Sequence, residues 1–255
     1  MLQPLVDSGI RARGWALGAA LLLAACASPT IPDDSGVTED FEAYTTGQVP
    51  TGDWTVETEG GAVTVDDTRA VSGTRAARFD VEGKGGAFIS TAGARAGRMQ
   101  VFLEAAPEGD VHWTLIEARG HRASDGHIAE IRIGGQHPVA GGSRLMANYE
   151  TPDSYTDPSA PGSDCWHHAA ETDVMPTGRW VEIAWAFGGD ATVAMSIDGK
   201  PVPAMTVNGT GQGCLYQKAD YAWELPRIET INLGWESYQA DGPRHLWIDD
   251  IKLWN

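Results

Sequence analysis

Arg119 and His121 in EARGH, Glu130 and Arg132 in HIAEIRI, Tyr149, the pair His167-His168, and Tyr216 with Lys218 in LYQKADY are the side chains here best suited to moving protons. Together they offer the parts of a β-elimination. A guanidinium neutralises a substrate carboxylate, which makes the neighbouring C–H acidic. A base then takes that proton, and a tyrosine feeds one to the leaving oxygen. In such a scheme Arg119 or Arg132 neutralises a uronate, and Tyr216 or His168 transfers protons. Glu130, Tyr149 and Lys218 border the same surface. Taken singly, each residue reads as a surface arginine or a hydrogen-bonded tyrosine, so the scheme depends on convergence in one cleft. A rival set needs no cation: Trp113, Trp166, Trp223, Trp235 and Tyr238 are flat faces on which a neutral sugar ring can rest.

The elements that carry these residues are strands. After residue 37 no run holds a helical period for three turns. Instead AARFDV, GAFIS, RMQVFLEA, HWTLIEA, HIAEIRI, RLMANYE, WVEIAWAF, TVAMSI, ETINLGW and HLWIDDIKLW alternate with period two. Turn signals such as Glu108-Gly109-Asp110 and Asp198-Gly199-Lys200 separate them, which predicts an all-β, antiparallel β-sandwich or barrel. Alternation sets Val181, Ile183, Trp185 and Phe187 on one face, and Ile131 and Ile133 opposite Glu130 and Arg132.

The first 37 residues read differently. Arg11 and Arg13 precede the apolar run Gly14–Ala25, too short to span a bilayer, which needs ~20 residues, and arranged as an export signal. Leu23-Ala24-Ala25-Cys26 resembles the lipobox of bacterial lipoproteins. The resemblance implies cleavage after residue 25 and acylation of Cys26, with 26–37 as a tether and 38–255 as the domain. Ala27 rather than Asp after the acylated cysteine resembles the enterobacterial pattern for sorting to the outer membrane, which implies that part of the cell envelope. Removing 1–25, with one acid and two bases, takes the formal charge from −17 to −18. Such a surface repels nucleic acid and anionic headgroups. Contact with membrane is therefore expected through the lipid alone, and the domain is expected to be monomeric. Cys165 and Cys214 form an even pair in an oxidising compartment, for which a disulfide is the default.

PTGRWVEIAWAFGGDATVAMSIDGKPV (176–202) resembles a concanavalin-like jelly roll, and the order HWTLIEARG, GWESY, WIDDIKL is similar to the secreted cellulose-induced proteins and the related glucuronan lyases. That resemblance covers 38–255. It implies a groove for polysaccharide, with uronan β-elimination if the protein is active and a non-catalytic glycan-binding or cell-envelope lipoprotein if it is not. It also implies structural Ca²⁺ on Glu42, Ser72 and Asp249, joining the two chain ends. LYQKADY is similar to the Tyr-x-Lys-x-Gly-x-Tyr strand of alginate lyases, although Asp220 replaces the glycine and no Gln-Ile-His strand accompanies it. The Glu-x-Asp-x-x-Glu pattern of jelly-roll glucanases is missing: EIRIGG has Arg132 at the aspartate position, and ETDVMP ends in Pro176.

Overall fold

The computed structural model describes residues 36–160, 162–209, 212–215 and 223–255. Cys26, Tyr216 and Lys218 lie outside the described residues. In chain order the strands are β1 (Thr38–Glu39), β2 (Thr55–Asp66), β3 (Ala76–Ala92), β4 (Ala96–Leu103), β5 (Trp113–His121), β6 (Ile128–Val139) and β7 (Gly142–Glu150), followed by β8 (Asp164–His168), β9 (Trp180–Phe187), β10 (Thr192–Ile197), β11 (Lys200–Thr206), β12 (Gly213–Leu215), β13 (Arg227–Ser237) and β14 (Arg244–Trp254). Among the described residues every pairing between strands is antiparallel, and a single 3-10 turn (Pro152–Tyr155) interrupts the β pattern.

β3 organises the jelly roll. Residues 77–81 of β3 pair with β14, which leads outward through β4, β9, β10 and β11. Residues 85–92 pair with β13, which leads through β5, β6, β7 and β8 to β12. Its companion β2 follows it along both halves. One bent hairpin thus borders both layers. AARFDV and GAFIS, which read as separate strands, are one because the intervening EGKGG is a bulge rather than a turn. Gly60 (φ 70°) and Gly83 (φ 66°) take the left-handed backbone where the ladder slips between Glu59 and Gly61, and such slips bend a strand.

Alternation holds where the core is made. Val181, Ile183, Trp185 and Phe187 are buried while their neighbours are partly open. At the centre Trp113 and Trp235 stack with ring centroids 4.6 Å apart. Their indole N–H groups donate to Ser143 Oγ at 2.8 Å and Ser237 Oγ at 2.9 Å, which satisfies the polar handle of a buried tryptophan. The turn between β10 and β11 uses Asp198 (φ 51°) and Gly199 (φ 69°), the two positive φ values of a tight hairpin.

The chain ends are joined through the turn 71–75. Asp249 Oδ2 accepts from Val71 N at 2.8 Å and Ser72 N at 3.3 Å. Glu42 Oε1 accepts from Thr74 N and Arg75 N, both at 2.7 Å, and Glu42 Oε2 pairs with Arg75 Nη1 at 3.3 Å. Ser72 Oγ donates to Asp250 Oδ1 at 2.6 Å. N–H, guanidinium and hydroxyl donors face these carboxylates. Hydrogen bonds provide this tie between the chain ends.

Candidate functional site

On the layer that runs from β3 to β12, the face turned away from the core carries its polar residues in ranks that cross the strands. Residues directly opposite in register share a face, which fixes each rank. One rank reads Thr55, Ser90, Asn232, Glu117, Arg132, Asn148, Trp166 from β2 to β8. The next reads Thr230, Arg119, Glu130, Glu150, Asp164. A third contains Glu59, Gly86, Glu236, Thr114, Gly134, Met146 and His168. A cleft of about 410 Å³ opens over the β2–β6 part of these ranks.

Arg132 is the hub. Its Nε donates to Glu117 Oε2 at 3.0 Å, Nη1 to Asn148 Oδ1 at 3.3 Å and to Glu150, and Nη2 to Glu130. The Tyr238 ring centroid lies 5.5 Å from its guanidinium. Charges at alternate positions normally mark a solvent face, yet Glu130 and Arg132 are 4% and 8% exposed. The reason is mutual cover. Glu130, Glu150 and Asp164 are neighbours in one rank, an arrangement that repels, and Arg132 reaches across from the adjacent rank to neutralise it.

The electrostatics follow. Burial pushes the Glu130 carboxyl up to about 7, with Arg132 opposing and Glu117 adding to the rise. Burial also raises Glu150, but Arg132 and a bond from Tyr155 outweigh it and leave that carboxyl below its ordinary value. Burial raises Asp164, against a hydrogen bond from Asn148. His112, stacked on Tyr238 at 4.5 Å, is pushed down to about 4 by burial and by Arg132. Arg119 is the accessible cation of the floor: its side chain is 47% exposed, with Nε 3.4 Å from Glu130 Oε1.

Of the residues expected at a site, Arg119, Glu130, Arg132 and Tyr238 come together. His168 stands one rank away on β8. Its Nδ1 lies 2.8 Å from Gln212 Oε1, its Nε2 is buried without a partner among the described residues, and its ring centroid is 4.8 Å from that of His137. Trp113 and Trp235 belong to the core and offer no face to a sugar. Tyr149 also points inward, accepting from Arg122 at 3.2 Å and donating to Glu224 O at 3.1 Å. Trp166 is half-buried at the far end of the first rank. The Cys165–Cys214 disulfide joins β8 to β12 at directly opposed positions. Glu117, Asn148, Glu150, Asp164 and Asn232 were not singled out from the sequence. Once HWTLIEARGH and HIAEIRI are paired as a hairpin, alternation places Glu117 beside Arg132.

Residues 40–255 match the family model described as polysaccharide lyase-like, Cip1-like core domain. The chain belongs to that family. Among solved structures, this Cip1-like chain is similar to "Cellulose induced protein, Cip1", with a TM-score of 0.56 and 21% identity over 84% of this chain and 95% of that one. More distant are the laminarinase catalytic domain from Thermotoga petrophila RKU-1 (TM-score 0.44, 13% identity, 86% of this chain and 96% of that one) and the laminarinase from Flavobacterium sp. UMI-01 (TM-score 0.46, 12% identity, 86% and 99%). No curated protein gives a significant match. The Cip1-like fold agrees with the jelly roll read from the strand pattern.

Proposed function

We propose that this chain is an exported protein, anchored in the bacterial outer membrane through lipid on Cys26, that binds a polysaccharide across the ranked face of the β3–β12 layer. One observation carries the reading: polar side chains stand in register over five or six successive strands, spaced ~4.8 Å apart, so an extended ligand lying across the strands meets a repeated set of partners. Membership of a polysaccharide lyase-like family supports the ligand class. A glycan array probed with the full chain in detergent tests it. Retention of at least one polysaccharide is expected, and retention of none refutes it.

A second reading, β-elimination on a uronan, is favoured by the pairing of Arg119 with Glu130. Arg119 is the cation open to a substrate carboxylate, and a carboxyl with its pKa at about 7 is matched to proton transfer near neutrality. Glu130 would take the C5 proton and the C4–O bond would break as the C4–C5 double bond forms. The leaving oxygen would collect a proton from a donor such as Tyr216 or His168. Ultraviolet absorbance of unsaturated ends over a uronan panel decides this. Cleavage abolished by R119A supports it, and no absorbance with any uronan removes it while leaving the binding reading intact.

A further inference from the structure

Among the described residues only four large apolar or aromatic side chains are exposed: Val49, Val71, Tyr155 and Leu215. Two of the four meet at one carboxylate. Leu215 of β12 stands directly opposite Asp164 of β8, so both rise from the ranked face. Tyr155, at the end of the 3-10 turn, donates its hydroxyl hydrogen to Glu150, which stands opposite Asp164 on the other side. Arg132 holds the same Glu150 carboxylate, so the hydroxyl end of Tyr155 is tied to the floor. The residue is nevertheless 59% exposed, which leaves its ring as a fixed surface rather than a loose one.

Trp166 completes the border. It lies two residues along β8 from Asp164, about 7 Å away on the same face, and directly opposite it stands Gly213. A Cβ on Gly213 would come 2.8 Å from Trp166 Cζ2 and 3.3 Å from each of its ring neighbours, Cε2 and Cη2. An approach along the ring edge would leave those two atoms much farther away than the central one. So small a difference marks a point over the indole face. The indole therefore lies flat on the β12 backbone, and its other face turns away from the sheet. No positive φ calls for glycine at 213; the close approach of the ring does. The two ends of the ranked face thus differ in chemistry. Five glutamates and two arginines line the cleft at the β2–β6 end, whereas Tyr155, Trp166 and Leu215 enclose Asp164, which accepts from Asn148 Nδ2 at 2.6 Å. Apolar and aromatic faces around a few placed polar groups are what a small organic ring requires. The C–H face of a pyranose covers the aromatics, and a hydroxyl donates to the carboxylate.

We infer that Tyr155, Trp166 and Leu215 form a stacking subsite for an uncharged hexopyranose unit at the β8–β12 end of the binding face, with Asp164 accepting from one of its hydroxyls. A uronate is disfavoured here, because its carboxylate would face Asp164 and Glu150. This deepens the glycan-binding reading above and rests on it.

Calorimetric titration of the full chain in detergent compares hexamers of glucose, mannose and galactose with a glucuronate hexamer. At least one neutral hexamer is expected to bind fivefold or more tightly than the glucuronate one. Y155A and W166A should each weaken that binding at least fivefold. Y155F, which keeps the ring and loses only the bond to Glu150, should weaken it less than twofold, and V71A, an exposed apolar side chain in the turn 71–75, should leave it unchanged. Tyr155 is exposed on a turn, so Y155A reports on the subsite without risk to folding, and W166F repeats the test at Trp166 with an aromatic ring retained. Unchanged binding in Y155A overturns the inference. A loss in Y155F equal to that in Y155A assigns the effect to the Glu150 bond and also overturns it. Equal or tighter binding of the glucuronate hexamer, or binding of no neutral hexamer while the array retains a polysaccharide, overturns it and spares the glycan-binding reading. Binding of no hexamer, together with an empty array, removes both.

Discussion

Glu117 and Arg132 stand directly opposite each other on β5 and β6, with Arg132 Nε 3.0 Å from Glu117 Oε2. This pair holds together a floor that would otherwise repel itself, because the same guanidinium also holds Glu130 and Glu150.

Replacing Arg132 by methionine leaves three carboxylates facing one another with no counter-charge. Breaking a buried pair from one side typically costs ~3–5 kcal/mol, and a loss of that size is expected in urea denaturation. R132K should recover only part of it, since an ammonium cannot reproduce the fork that reaches several carboxylates.

Glu130 predicts a pH dependence. Its carboxyl rises from 4.5 to about 7 in the folded chain, so between those values the folded state holds a proton that the unfolded state has released. Its contribution to stability is complete below pH 4.5 and is lost as the pH rises through about 7. E130Q cannot ionise. Its stability relative to the parent should therefore climb across that window by on the order of 1–3 kcal/mol. A flat difference across the same range would contradict the assignment.

The Cys165–Cys214 bridge closes a separation of 49 residues, which the chain-entropy model values at ~3–4 kcal/mol. The double serine variant should lose about that much, and reductant should bring the parent to the same denaturation midpoint.

Tyr149 separates packing from recognition. Y149F removes the hydroxyl that contacts Arg122 and the Glu224 carbonyl and should cost ~1–2 kcal/mol of stability. Affinity for any glycan retained by the parent should be unchanged, because this ring points into the core.

The layered β architecture was legible because packing one face against the apolar core writes a period of two directly into WVEIAWAF and HIAEIRI. β2 escaped notice since Glu57, Thr58 and Glu59 are all exposed on an edge, which erases the alternation. Arg119, Glu130 and Arg132 were identified by type, but the ranks depend on cross-strand register. Register is set by pairings between residues as far apart as Glu117 and Asn232, and no local pattern records it. Trp113 was read as a sugar platform because an aromatic side chain looks alike on either face of a strand. The inward position is decided by its stacking partner Trp235, more than a hundred residues away.

Because the β2–β3 hairpin hems both layers, neither sheet can fray along that border without loosening the other. Heat or denaturant should consequently melt the two halves of the molecule together, in a single transition. A substitution that stiffens or slackens the glycine bend would be felt at the ligand-bearing layer and at the far layer alike.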